Sequence, residues 1–191
     1  MELKEKILEA CIQVYKQKGL KFTMDDIAAL LSISKKTIYT VFENKEQMFL
    51  AMVDYLFDQV KADEASILEA DDLSTLERIR QILTCLPRVY ADVEFSHLHS
   101  LRKKYPKIYA QVERRLETGW EATIGLLEQG MQEGVVRPIS IPIFKLMFEA
   151  SLEQFFARDI LEVNQIPYRK ALDQVAEILI SGIAMNEELK A

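Results

Sequence analysis

Between Ser34 and Val41 the chain runs Ser-Lys-Lys-Thr-Ile-Tyr-Thr-Val, two ammonium groups and four hydroxyls around two apolar residues. On a helix over 35–41, Ile38, Val41 and the following Phe42 share the inward side. Lys35, Lys36, Thr37, Tyr39 and Thr40 are then left facing outward. An ammonium can donate to guanine O6 and N7, and a threonine methyl can rest on the thymine methyl. Lys35, Lys36, Thr37 and Thr40 are therefore candidates for reading base edges in a DNA groove.

No comparable case exists for catalysis. Ser, Cys and His never fall into a nucleophile motif, and no glycine-rich phosphate loop occurs. His97 and His99, two residues apart, point to different sides of a helix, and no Cys or carboxylate cluster accompanies them. They fit polar positions in a ligand pocket better than a metal site. The reading is a non-enzyme with no metal and no cofactor. A helical protein-interaction module without effector binding is the alternative, and salt separates the two, because counterion release makes only DNA binding fall steeply as salt rises.

Three helix starts bring the 34–41 segment into position. Thr23 with Asp26 three places on forms a capping box, Ser34 caps the next helix, and Asn44 with Gln47 caps a third. Phe22 with Ile27, and Ile33 with Ile38, flank the first two caps as hydrophobic staples. Two short helices joined by a tight turn predict a helix-turn-helix.

Charge is distributed to match. The chain of 191 residues carries a net charge of −6, which excludes a protein that coats nucleic acid through bulk basicity. Residues 1–47 hold eight Lys and seven Asp or Glu, whereas residues 48–191 carry a net −7. Only the first segment is not strongly repelled by a polyanion. With 49% hydrophobic and 28% charged residues, the composition is that of a globular protein. No apolar run is long enough to span a membrane, and the amphipathic start is not a signal peptide. Cys11 and Cys85 read as two buried thiols of a reducing cytoplasm.

The fold class expected is all-α, with about nine helices: 3–17, 24–31, 35–41, 45–68, one from Ser74, 95–103, 106–132, 141–158 and 168–187. Pro87 should kink or end the fifth. The helix over 45–68, roughly 35 Å long at 1.5 Å per residue, links a small N-terminal module to a separate body. The division expected is 1–47 for DNA binding and 48–191 for ligand binding and dimerisation. Over 143–157, Lys145, Glu149 and Glu153 form one narrow polar stripe and nearly everything else is apolar. Such a helix must be covered on two sides. Together with the apolar 168–187 helix it predicts a four-helix homodimer interface across a two-fold axis, with a crowded monomer core as the alternative.

Residues 5–52 resemble the TetR family of transcriptional regulators. The resemblance is carried by Gly19, Phe22, Thr23, Asp26-Ile27-Ala28, Ile33-Ser34, Thr37-Ile38-Tyr39, Phe42 and Lys45-Glu46-Gln47-Met48. The chain departs from the family pattern at Leu31-Ser32, where Ala-Gly is usual, at Lys36, where Gly is common, and at Thr40-Val41. The resemblance implies that Tyr39 and Lys45 contact phosphates, with Thr23 doing the same beside them and Ser34 opening the reading helix. It also implies a cytoplasmic homodimer on a palindromic double-stranded DNA operator, with repression relieved by a small-molecule effector and no membrane partner. The pocket such relatives carry in the C-terminal body would here be lined by Leu86, Tyr90, Phe95, Leu98, Tyr109, Trp120, Ile124, Phe148, Leu152 and Phe155. That set is aromatic and apolar, so the effector expected is hydrophobic or amphipathic.

Overall fold

The computed structural model describes residues 2–86 and 99–185, with residues 99 and 100 as backbone only. The described residues are helical almost throughout, and their single β-bridge, Val136 with Ala184, is isolated. Eleven α-helices are present among them. They are α1 (Leu3–Lys18), α2 (Met24–Leu31), α3 (Lys35–Tyr39), α4 (Lys45–Glu69), α5 (Thr75–Leu83) and α6 (His99–Lys104). α7 (Pro106–Glu117), α8 (Glu121–Glu133), α9 (Ile141–Ala157), α10 (Ile160–Val163) and α11 (Tyr168–Ile183) follow. A 3-10 turn, Gly19–Lys21, joins α1 to the segment before α2. No helix of the described residues is long and apolar enough to cross a membrane.

The N-terminal caps form as their residue types dictate. Thr23 Oγ1 accepts from the Asp26 N–H at 3.2 Å, and the Asp26 carboxylate accepts in return from the Thr23 N–H at 2.8 Å. Ser34 Oγ accepts from the Thr37 N–H at 3.0 Å, and Asn44 Oδ1 accepts from the Gln47 N–H at 2.8 Å. The return bond of the third cap is displaced by one residue, because Gln47 Oε1 takes the Glu43 N–H at 2.6 Å. Ser32 ends α2 at φ 53°, in the left-handed region where the sequence lacks the usual Gly. Its N–H still closes onto α2, and Ile33 N–H reaches the Ala28 carbonyl at 3.0 Å, so the tight turn forms without glycine.

Two apolar clusters hold the chain. In one, Ile7, Cys11 and Val14 of α1 meet Ile27, Ile38, Phe42 and the Met48, Phe49 and Met52 stretch of α4, with Leu101, Ile108 and Tyr109 joining from α6 and α7. In the other, α5, α8, α9 and α11 bury Ile79, Leu127, Phe144, Phe148, Leu172 and Ile180. α4 runs about 37 Å at 1.5 Å per residue. It is strapped to α7 by Arg115 with Asp58 at 2.6 Å, by Gln111 with Asp54, and by Lys107 with Glu46 at 3.0 Å.

Several boundaries differ from the sequence expectation. The single helix expected over 106–132 is two, broken at Thr118–Trp120, where Gly119 adopts φ 78°. The Lys61 ammonium donates to the Gly119 carbonyl at 2.5 Å, and a Cβ on Gly119 would lie 2.7 Å from Lys61 Cε. The left-handed backbone angle is what favours glycine here, since the Lys61 end is flexible enough to move aside. The Trp120 indole N–H then takes the free Leu116 carbonyl at 2.9 Å. α10 is an additional short turn, and the α3 helix ends at Tyr39 with Thr40 and Val41 continuing as turn. Those two extra pieces account for eleven helices rather than about nine. The 95–98 part of the expected sixth helix, the Pro87 kink and residues 186–187 lie outside the described residues.

Candidate DNA-reading face and ligand cavity

α3 presents the face the sequence reading assigned to it. Ile38 is fully buried and Phe42 nearly so, and they seat α3 on the first cluster. Lys35, Lys36, Tyr39 and Thr40 are exposed, Tyr39 to 46%, and Thr37 is half-buried. These groups are not equally available. Lys35 Nζ pairs with Asp25 at 2.8 Å, which raises its pKa. Thr37 Oγ1 lies 2.8 Å from Ser34 Oγ, and Thr40 Oγ1 donates to the Thr37 carbonyl at 2.7 Å. Lys36 and Tyr39 are both exposed, and among the described residues neither side chain is held by a hydrogen bond or ion pair. The Thr23 hydroxyl donates to Asp26, whose carboxyl is held at about 2 by hydrogen bonds from Lys18 and Thr23.

Lys45 sits differently from the others. Its ammonium turns back onto the head, donating to the Leu20 carbonyl at 3.0 Å and the Phe22 carbonyl at 2.5 Å. It lies 4.0 Å above the centre of the Phe22 ring and 5.7 Å from that of Tyr105. A phosphate contact and this carbonyl pair compete for one ammonium. Lys45→Ala is therefore expected to lower stability by about 1–3 kcal/mol, since two partly buried carbonyls lose their donor. A thermal melt reads it: a lowered midpoint is expected, and an unchanged midpoint with weakened operator binding would return the ammonium to DNA.

Below the head, a cavity of about 210 Å³ opens along α4. Of the lining residues the sequence suggested, Leu86, Tyr109, Trp120, Phe148 and Leu152 are there. Tyr90, Phe95 and Leu98 lie outside the described residues, as do His97 and the His99 side chain. Ile124 and Phe155 do not line it. Phe155 instead packs edge-on against Tyr168 with ring centres 6.1 Å apart, and its neighbour Phe156 takes the wall position. What the sequence reading missed is the contribution of α4 itself: Phe49, Met52, Val53, Leu56, Phe57 and Val60 form one whole wall. The signal was present as a continuous apolar stripe along that helix, although it read as ordinary core.

The polar groups on this wall are few. Lys61 pairs with Glu64 at 2.7 Å, and Arg115 is committed to Asp54 and Asp58 and lies 5.4 Å from the centre of the Phe57 ring. Glu149 reaches the cavity from α9, and burial raises its pKa against the opposing pull of Lys145. Cys85 at the rim is half-buried rather than buried, its thiol pushed up to about 11, while burial holds Cys11 at about 12. Among the described residues no three His, Cys, Asp or Glu side chains gather as metal ligands.

Comparison with known proteins agrees with this architecture. Residues 7–52 match the family model for bacterial regulatory proteins of the tetR family. Over 187 residues, 98% of each chain, the protein is 28% identical to YvaF, an uncharacterized HTH-type transcriptional regulator of Bacillus subtilis. A TetR transcription regulator from Haloarcula marismortui superposes with a TM-score of 0.72 at 15% identity, over 95% of this chain and 98% of that one. FadR of Bacillus subtilis, solved in complex with stearoyl-CoA, gives a TM-score of 0.61 at 19% identity, over 94% and 98%. Residues 7–52 are thus a TetR-family helix-turn-helix, and the chain as a whole is similar in sequence and all-α fold to HTH-type transcriptional regulators.

Proposed function

We propose that the protein is a cytoplasmic homodimeric repressor that leaves its operator when a hydrophobic or amphipathic small molecule enters the cavity along α4. Residues 1–47 read the DNA, with Lys36 and Tyr39 making the outward contacts and Lys35, Thr37 and Thr40 completing the face. Thr23, Ser34 and Lys45 hold that face in place, at the start of α2, α3 and α4 in turn. Residues 48–191 bind the ligand and dimerise.

The observation that carries the reading is the double role of α4. Its first turn packs into the head through Met48 and Phe49, and its next three turns are a wall of the cavity. A molecule that spreads that wall must move the helix on which the head rests. In a dimer the two heads need to sit about 34–36 Å apart, one DNA turn, so a small tilt of α4 is enough to lose register. The stearoyl-CoA complex of FadR supports an apolar occupant for a body of this fold.

The dimer reading rests on α9 and α11. α9 buries Phe144, Phe148 and Leu152, keeps the Lys145 and Glu149 side chains beside them at 30% and 15% exposed, and leaves a second set of apolar residues on its outer side. Ile143, Leu146 and Met147 are each more than half exposed, and Ile178 of α11 is 71% exposed. An exposed apolar face of that kind on two adjacent helices suits a second copy of itself across a two-fold axis. The test of the proposal is operator binding by a protein stripped of its outward α3 groups: an unchanged affinity overturns the reading.

A further inference from the structure

The charges on the cavity wall decide which head group the cavity accepts, because each already has a partner. Among the described lining residues the charged side chains are Lys61, Glu64, Arg115 and Glu149. The Lys61 ammonium donates to both Glu64 oxygens, at 2.9 and 2.7 Å, and to the Gly119 carbonyl. Arg115 is held by Asp54 and Asp58. Glu149 lies 3.5 Å from the Lys145 ammonium, which also sits 5.8 Å from the centre of the Trp120 ring, and Glu149 Oε1 is buried. A head group of either sign finds no free counter-charge among these side chains.

Thr123 is the polar side chain on this wall with bonding capacity to spare. It stands in the first turn of α8, lines the cavity and is 4% exposed. A helical threonine commonly bonds back to the carbonyl four residues earlier. Here that carbonyl belongs to Gly119 and takes the Lys61 ammonium. Among the described residues the Thr123 hydroxyl makes no hydrogen bond.

A carboxylate or an ammonium drawn into this cavity gives up its hydration without gaining a counter-ion, which is far costlier than burying a neutral group that finds one hydrogen bond. A hydroxyl such as that of Thr123 can donate or accept, so it serves an alcohol and a carbonyl alike. We propose that the effector is an uncharged lipophilic molecule, its apolar body against the α4 wall and its hydroxyl or carbonyl hydrogen-bonded to Thr123. This rests on the reading of the cavity as the effector site and narrows it to one head-group chemistry.

Trp120 is the only tryptophan in the chain and lies on the cavity wall, so its fluorescence reads occupancy directly. The experiment titrates the full-length protein at neutral pH with octylammonium, octanol and octanoate, which share one chain and differ only in the head. Octanol is expected to bind at least tenfold tighter than either ion. Thr123→Val, which keeps the shape and removes the hydroxyl, is expected to weaken octanol about fivefold, as loss of one neutral hydrogen bond should. The wild-type ranking decides the head-group charge even if that variant folds poorly. Octanoate or octylammonium binding as tightly as octanol overturns the assignment and leaves the effector cavity standing. So does an octanol affinity unmoved in a Thr123→Val protein with a native melt. No fluorescence response to any of the three overturns both.

Discussion

Lys36→Ala combined with Tyr39→Ala is expected to weaken operator binding by about a hundredfold or more while leaving the melting temperature where it was. Both side chains are exposed on α3. Exposed positions away from caps and packing usually change stability by less than about 0.5 kcal/mol. On DNA the same groups act twice, once in each protomer. At about 1–3 kcal/mol for a base contact by Lys36 and about 1.5–3 kcal/mol for the Tyr39 hydrogen bond to a charged phosphate, even the lower end over two protomers exceeds the 2.8 kcal/mol or so of a hundredfold change. Loss of the Lys36 charge from each head should also flatten the salt dependence of binding, because that charge helps displace counterions from the polyanion. Lys35 is the weaker choice for this experiment because Asp25 already holds its ammonium at 2.8 Å. A fluorescence-anisotropy titration on the operator at several salt concentrations measures affinity and slope together.

Ile178→Asp is expected to convert the dimer to a monomer, raising the dimer dissociation constant by about a thousandfold or more. In the isolated protomer Ile178 is 71% exposed, so a carboxylate there remains in water and costs the fold little. Across a two-fold axis the change occurs in both copies and places two carboxylates in an apolar seam with no partner, at several kcal/mol. Operator affinity falls with it, because two heads that were tethered must now bind independently. Sedimentation velocity separates the outcomes: a slower, monomeric species with a native melt is expected. A variant that still sediments as the wild-type dimer would move the interface off α9 and α11.

Much of the head was legible because its signals are local. Caps depend on one hydroxyl or carboxylate and an N–H three residues away, so Thr23, Ser34 and Asn44 marked their helices without knowledge of the rest of the chain. The Gly119 break was less visible, since a glycine inside an apolar period is often tolerated. The break is met by Lys61, 58 residues distant in sequence, whose ammonium takes up the Gly119 carbonyl. Lys45 shows the same limit: its residue type suits a phosphate, and only the fold shows the Leu20 and Phe22 carbonyls that take its ammonium. In the cavity, the aromatic residues of α7 to α9 stood out by type, whereas the aliphatic wall of α4 resembled any buried helix face. The α9 stripe was the least legible feature. Lys145, Glu149 and Glu153 look like a solvated edge in sequence, yet burial of the first two turns that edge toward the interior.

If cavity and operator compete through α4, linkage makes the competition directly measurable. An alkyl probe such as octanol is titrated against the fluorescence of Trp120 on the cavity wall, first with free protein and then with protein saturated by operator DNA. Because coupling between two sites is reciprocal, the operator should weaken the ligand by the same factor as the ligand weakens the operator, commonly about 5–150-fold. A ligand affinity that is the same with and without operator would contradict the account.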